Sequence, residues 1–107
     1  MVNTSNTVKI DEKKRDVTEK ICEVAKDNAI VKRVIVFGSA ANGTCTSKSD
    51  IDVCFDINCT TRDLRVYDLN VAVNKVCDYN CDIFFYNYLG DHLKEEIDRT
   101  GVTVYEA

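Results

Sequence analysis

Apolar residues recur with two different periods along this 107-residue chain, and the alternation between the two lays out its elements. From Asp11 to about Asn28 they stand at Val17, Ile21, Val24 and Ala25, the spacing of a helix with one apolar face, and Asp11 is a suitable N-cap. Lys32 to Phe37 is a β-branched, nearly continuous apolar run, which predicts a buried strand. Gly38-Ser39 ends it, and a short helical turn is expected through Ala40 and Ala41 to Gly43. After a polar stretch from Gly43 to Ser49, a second strand covers about Asp50 to Asp56. Thr61 is a candidate cap for a helix from about Arg62 to Asp78 that carries Leu69, Ala72, Val73 and Val76 on one face and breaks at Tyr79-Asn80. Cys81 to Tyr86 predicts a third strand. Leu89 to about Arg99 predicts a last helix, with Leu93 and Ile97 inward and Gly101 as C-cap, and Val102 to Tyr105 a final short strand.

Helices alternating with strands specify an α/β fold, a small mixed sheet with helices packed on it, in a single domain over residues 1–107. Residues 1–9 are polar and read as a frayed lead-in without the apolar core of a signal peptide. No apolar stretch approaches the roughly 20 residues of a membrane span. A cytoplasmic location is therefore expected, with the six cysteines as reduced thiols. Cys22, Cys54 and Cys77 fall at or beside apolar positions, as small core-filling residues do, and no cysteine spacing matches paired zinc knuckles. The net charge of −4 argues against an extended nucleic-acid surface. Lys13-Lys14-Arg15 and Lys32-Arg33 are short basic runs, read as solvated surface.

The candidate chemistry lies between Val34 and Val53. Gly38-Ser39 lets the backbone turn sharply and offer N–H groups and a hydroxyl, while Asp50 and Asp52 sit two apart on a strand. That spacing puts both carboxylates on one face, roughly 6.6 Å apart along the backbone. Two ionised acids there repel unless a cation lies between them. A phosphate-holding turn facing a cation-holding pair is a site for a metal-bound nucleoside triphosphate.

Gly38-Ser39, ten residues and then Asp50-x-Asp52, with Ala41 and Gly43 between, resemble the signature of the nucleotidyltransferase superfamily related to DNA polymerase beta, and within it the minimal nucleotidyltransferase (MNT) branch. The resemblance extends to the ending Glu95-Glu-Ile-Asp-Arg-Thr-Gly-Val-Thr-Val-Tyr105. It implies Asp50 and Asp52 as ligands of two Mg²⁺ ions, or Mn²⁺ in their place. It also implies a third carboxylate on a later strand. Asp82 fits, because it opens Ile83-Phe84-Phe85, where an acid has no packing reason to stand; Asp78, at a helix end, is the rival. Asp82 would complete the metal site and take the proton of the acceptor hydroxyl. Gly38 and Ser39 would hold the phosphates. The only histidine, His92, has no triad-like spacing to Ser39 and reads as surface.

MNT domains resembling this one are often paired with a helical HEPN protein as toxin–antitoxin modules, in which the MNT chain adenylylates its partner. The resemblance therefore implies ATP and a HEPN-like chain, or a second copy, as partners. The family commonly carries arginines where this chain has Ala40 and Asn42. That departure predicts weak nucleotide binding and slow transfer, with arginine restored at position 40 strengthening it and Lys48 a candidate substitute charge. The competing readings are a binding module that neutralises a partner without turnover, and a small-molecule transferase of the aminoglycoside type.

Overall fold

A computed structural model describes residues 8–46 and 48–107. The expected lead-in thus lies outside the described residues as far as position 7, as does Ser47 of the polar loop. The elements are α1 (Glu12–Lys26), β1 (Val31–Phe37), α2 (Ser39–Asn42), β2 (Ile51–Ile57), α3 (Leu64–Val76), β3 (Cys81–Phe85), α4 (Asp91–Thr100) and β4 (Val102–Glu106), with a 3₁₀ turn at Tyr86–Tyr88. The strands form one sheet in the order β3-β2-β1-β4. β1 runs antiparallel to β2 and β4, and β3 runs parallel to β2, with α3 as the crossover that a parallel pair requires. The sheet is mixed, as the pattern predicts.

β2 carries the logic of the fold. Its odd positions, Ile51, Val53, Phe55 and Ile57, enter a large core with Val34 and Val36 of β1, Ile21, Cys22 and Ala25 of α1, and Val66, Leu69 and Val73 of α3. Side chains alternate across a strand, so Asp52, Cys54 and Asp56 face the other way. There α4 lays Ile97 on Ile35 and Cys54, with Leu93, Phe37 and Phe84 around them. The small Cys54 side chain leaves room for Phe37 and Phe84 to meet edge to face across β2, with centroids 5.2 Å apart.

Several local expectations change. Asp11 does cap α1, accepting from the Lys13 amide at 3.0 Å. α3, however, is capped by Asp63, whose carboxylate accepts from the Arg65 amide at 2.9 Å, while the Thr61 amide donates to the Tyr88 hydroxyl. α3 ends at Val76, because Asp78 and Tyr79 take positive φ of 54° and 62°. Gly101 follows α4 in an extended conformation, φ −74° and ψ 160°. Its glycine answers to space instead: a Cβ there would lie 2.6 Å from both Ile35 Cγ2 and the Ile97 carbonyl oxygen.

The basic runs are not uniformly solvated surface. Lys14 is buried at 8% exposure. Arg33 pairs with the buried Asp56 at 3.1 Å and stacks 4.9 Å over the Tyr86 ring. All six cysteines are free thiols, and Cys45, in the polar loop, joins Cys22, Cys54 and Cys77 in being buried. Burial pushes the Cys22 thiol up to about 11 and Cys54 to about 12; burial and then the adjoining Cys77 raise Cys81 to about 12. These sulfurs stay protonated at neutral pH, which suits packing more than metal binding. Among the described residues no helix is long and apolar enough to cross a membrane.

Candidate active site

Three segments meet at one end of the sheet: the exit of β1, the entry of β2 and the entry of β3. β1 stops because Gly38 turns with φ +71°, a conformation that L side chains resist, and α2 follows at once. The turn is also tight against β2. A Cβ on Gly38 would collide with Asp52 Oδ2 and come within 3.3 Å of Asp52 Cγ. Gly38 is thus required both for the turn and for the approach of backbone to carboxylate.

Asp52 pairs with Phe37 on one side and with Asp82 on the other, in register across the parallel β2–β3 ladder. Side chains in register on neighbouring parallel strands share a face, so the two acids stand together. Burial first, then the adjacent Asp82 and, further off, Asp50 hold the Asp52 carboxyl above the usual carboxylate range. Asp50 precedes β2 and is exposed, Asp82 is exposed on β3, and Asp52 is half-buried. Asp78 stands on the exposed turn after α3, so of the two rivals only Asp82 is in register with Asp52. Ser39 opens α2 half-buried, and among the described residues its hydroxyl has no hydrogen-bond partner.

Beside this pair lies a cleft of about 350 Å³, lined by Phe37, Gly38, Asn42, Asp52, Leu93, Glu96 and Thr100. Position 40 has no access to it. Ala40 is fully buried in the large core, and its carbonyl accepts from the Asp11 amide at 2.8 Å. The expectation that arginine at position 40 would strengthen phosphate binding is therefore corrected, since that side chain would displace core packing. Position 42 is the one that faces the cleft. Its Asn side chain accepts from the Thr44 hydroxyl at 2.6 Å and from the Thr44 amide at 3.1 Å. Lys48 does not line this cleft either, but a separate cavity behind the sheet.

With the fold and this geometry established, comparison with known proteins is decisive. The sequence profile of the family described as Polymerase beta, Nucleotidyltransferase matches residues 19–107. The chain belongs to that family.

Solved structures agree on the fold of this nucleotidyltransferase domain. It is similar to a chain of a toxin–antitoxin crystal structure with AMP-PNP, at 21% identity and TM-score 0.70 over 84% of this chain and 73% of that one. It is also similar to a candidate minimal nucleotidyltransferase, at 26% identity and TM-score 0.62 over 78% of this chain and 85% of that one. A third similar chain comes from a complex of tri-AMPylated Shewanella oneidensis HEPN toxin with MNT antitoxin, at 18% identity and TM-score 0.63 over 85% of this chain and 71% of that one. No curated protein matches the sequence.

The donor chemistry at the sheet end suits a hard divalent cation. Asp52 and Asp82 present carboxylate oxygens side by side, and the Asp52 proton affinity is raised by burial and then by that proximity. Among the described residues no three His, Cys, Asp or Glu side chains converge as a ready metal cage. Sequence reasoning missed the walls of the cleft. Leu93, Glu96 and Thr100 follow one another at helical spacing on α4 and share a face, which was legible, but nothing local says that α4 stands beside β1.

Proposed function

We propose that this domain transfers a nucleoside monophosphate, AMP foremost, from a triphosphate to a hydroxyl on a partner protein, as the antitoxin of a HEPN-type pair. The observation that carries this reading is the register of Asp52 with Asp82 beside the tight Gly38 turn. Family membership supports transfer chemistry, and the toxin–antitoxin and AMPylated-toxin neighbours support the partner and the nucleotide.

In this reading Asp50, Asp52 and Asp82 hold Mg²⁺, two ions with Mn²⁺ as substitute, and Gly38 and Ser39 hold the nucleotide. The bound ions supply charge neutralisation at the phosphates and lower the energy of the leaving pyrophosphate. Gly38 keeps the backbone close enough for the phosphates to approach Asp52. The Ser39 hydroxyl donates to a phosphate oxygen. Asp82, the more exposed of the paired acids, accepts the proton of the acceptor hydroxyl. The cleft edged by Phe37 and Leu93 offers an apolar wall, with Glu96 and Thr100 as polar contacts. We place the protein in the cytoplasm, which its free thiols support.

A second reading rests on a specific observation. Neither family arginine position carries a cation, and only position 42 faces the cleft, so the domain could bind a partner with slow turnover or none. One assay separates the two. The purified chain is incubated with labelled ATP, Mg²⁺ and the HEPN-like chain encoded beside it. Transfer predicts label on the partner, its loss in Asp82→Asn and its increase in Asn42→Arg. Tight partner binding without label from any of the four triphosphates, in wild type and Asn42→Arg alike, establishes the binding module.

A further inference from the structure

The cleft beside Asp52 is smaller than another cavity in the domain. Behind the same end of the sheet, between the start of α1 and the entries of β2 and β3, lies a space of about 420 Å³ lined by Lys13, Lys14, Val17, Lys48, Ser49, Asn80 and three further residues. It shares no lining residue with the Asp52 cleft.

Its distinguishing feature is Lys14. The residue is 8% exposed, and among the described residues its ammonium has neither a hydrogen bond nor an ion pair. The stem of Lys14 is what is buried: its ammonium keeps solvent access, since among the described residues no buried side-chain nitrogen or oxygen lacks a hydrogen-bond partner. A lysine that packs its stem in this way and lines the cavity carries its charge to that open space. Lys13 and Lys48 bring two more ammonium groups, both exposed. Lys13 keeps only a 3.4 Å pair with Asp11. The one acid in the lining, Asp16, is turned to solvent and pairs with Lys20 at 3.3 Å. In a chain of net charge −4, three cations thus gather around one open space with no free acid in its lining. Ser49 and Asn80 add a hydroxyl and an amide.

We propose that this cavity binds a phosphoryl anion, with Lys14, whose stem is held in the fold, as its anchor and Lys13 and Lys48 at the rim. A multiply charged tetrahedral oxyanion accepts from several ammonium, hydroxyl and amide donors at once, which a single carboxylate does less well. The phosphoryl group is either free, as phosphate or pyrophosphate, or the phosphate of a small nucleotide. The inference stands apart from the transfer reading, because the two cavities have no residue in common.

The test titrates the ¹⁵N-labelled full chain with inorganic phosphate at constant ionic strength, with chloride as control. Saturable shifts at the amides of Lys14, Val17 and Asn80 are expected, together with a raised melting temperature. Lys14→Met keeps the stem and removes the charge, and should weaken phosphate binding roughly tenfold or more. Lys94→Met, which removes a lysine of α4 outside this cavity, should bind phosphate as wild type does. Parallel titrations with pyrophosphate and AMP identify the source: tighter AMP assigns a nucleotide phosphate, tighter inorganic anion a free one. If Lys14→Met does not fold, the wild-type amide shifts alone decide. No saturable response beyond chloride, shifts confined to the Gly38–Asp52 cleft, or equal binding by Lys14→Met would overturn the assignment.

Discussion

The two faces of the sheet are built to opposite specifications. One is covered by α1 and α3, and the odd positions of β2 enter it as an unbroken apolar set from Ile51 to Ile57. The other is covered only by α4 and the turn before it, Tyr86 to Leu89, over a small buried group of Ile35, Cys54 and Ile97. On that second face the even positions of β2 are acids except for Cys54. Asp56 is neutralised by Arg33, whereas Asp52 faces only another acid in its ladder neighbour Asp82. The same strand thus anchors the fold with one set of side chains and concentrates charge with the other. The difference teaches that a domain this small can hold unfavourable charge only where its stability does not depend on the covering layer. α4 is short enough to leave the ends of β1, β2 and β3 open.

The largest expected effect breaks the open face chemically without touching the closed one. Asp82→Asn should reduce nucleotidyl transfer by at least about 10²-fold, as for loss of a general base, while the melting curve stays in place or moves up. Transfer at the wild-type rate in that variant would remove Asp82 from the site.

Packing comes next. Leu69→Ala, in the closed face, should cost about 2–5 kcal/mol in urea unfolding. Leu93→Ala, half-buried on α4 itself, should cost only about 1 kcal/mol. Equal losses would mean that the two faces share the burden of stability.

Gly38→Ala tests the join between the faces. A backbone of φ +71° and ψ −148° alone makes alanine unfavourable by about 1–3 kcal/mol, and its methyl would push Asp52 aside. Both stability and transfer should fall. A folded variant with full transfer would show that the close approach of Gly38 to Asp52 is incidental.

A smaller effect has the opposite sign. Asp52→Asn removes a charge that burial and Asp82 oppose, so the metal-free variant should gain stability, by less than about 1 kcal/mol once solvent screening is allowed for. Thermal melting in chelator checks it, and a drop in melting temperature would mean that the acid is structurally satisfied.

The finest test is the pH response of each face. Asp63, which caps α3 over the closed face, is held down to about 2 by its hydrogen bonds from the Arg65 side chain and then the Arg65 amide. A depressed acid stabilises the fold above its ordinary value near 3.8, and that contribution is lost as pH falls towards 2. Asp52 is raised, so its sign is reversed: its contribution is most favourable in acid and is lost as pH rises through its folded value. Acid should therefore erode α3 while relieving the open face. Asp63→Asn should flatten the wild-type decline between about pH 4 and 2, and Asp52→Asn should steepen it.

The sequence by itself determined the α/β class, every helix and strand to within a few residues, and the face of β2 that carries Asp52, because periodicity depends only on local backbone geometry. Family membership was also legible, in Gly38-Ser39 and Asp50-x-Asp52. Ends of elements were less so. Thr61 and Asp63 are both good caps, and which one serves depends on where α3 must start to reach the core. The resemblance pointed to Asp82 as the third acid, but its exact register with Asp52 was decided only by the tertiary structure, since a parallel pairing across a crossover helix has no local signal. It alone decided that position 40 points into the core while position 42 faces the cleft, and that Lys14 is buried behind the sheet. Those outcomes turn on which helix packs against which strand, and that is set by long-range burial summed over the whole chain rather than by any one stretch of it.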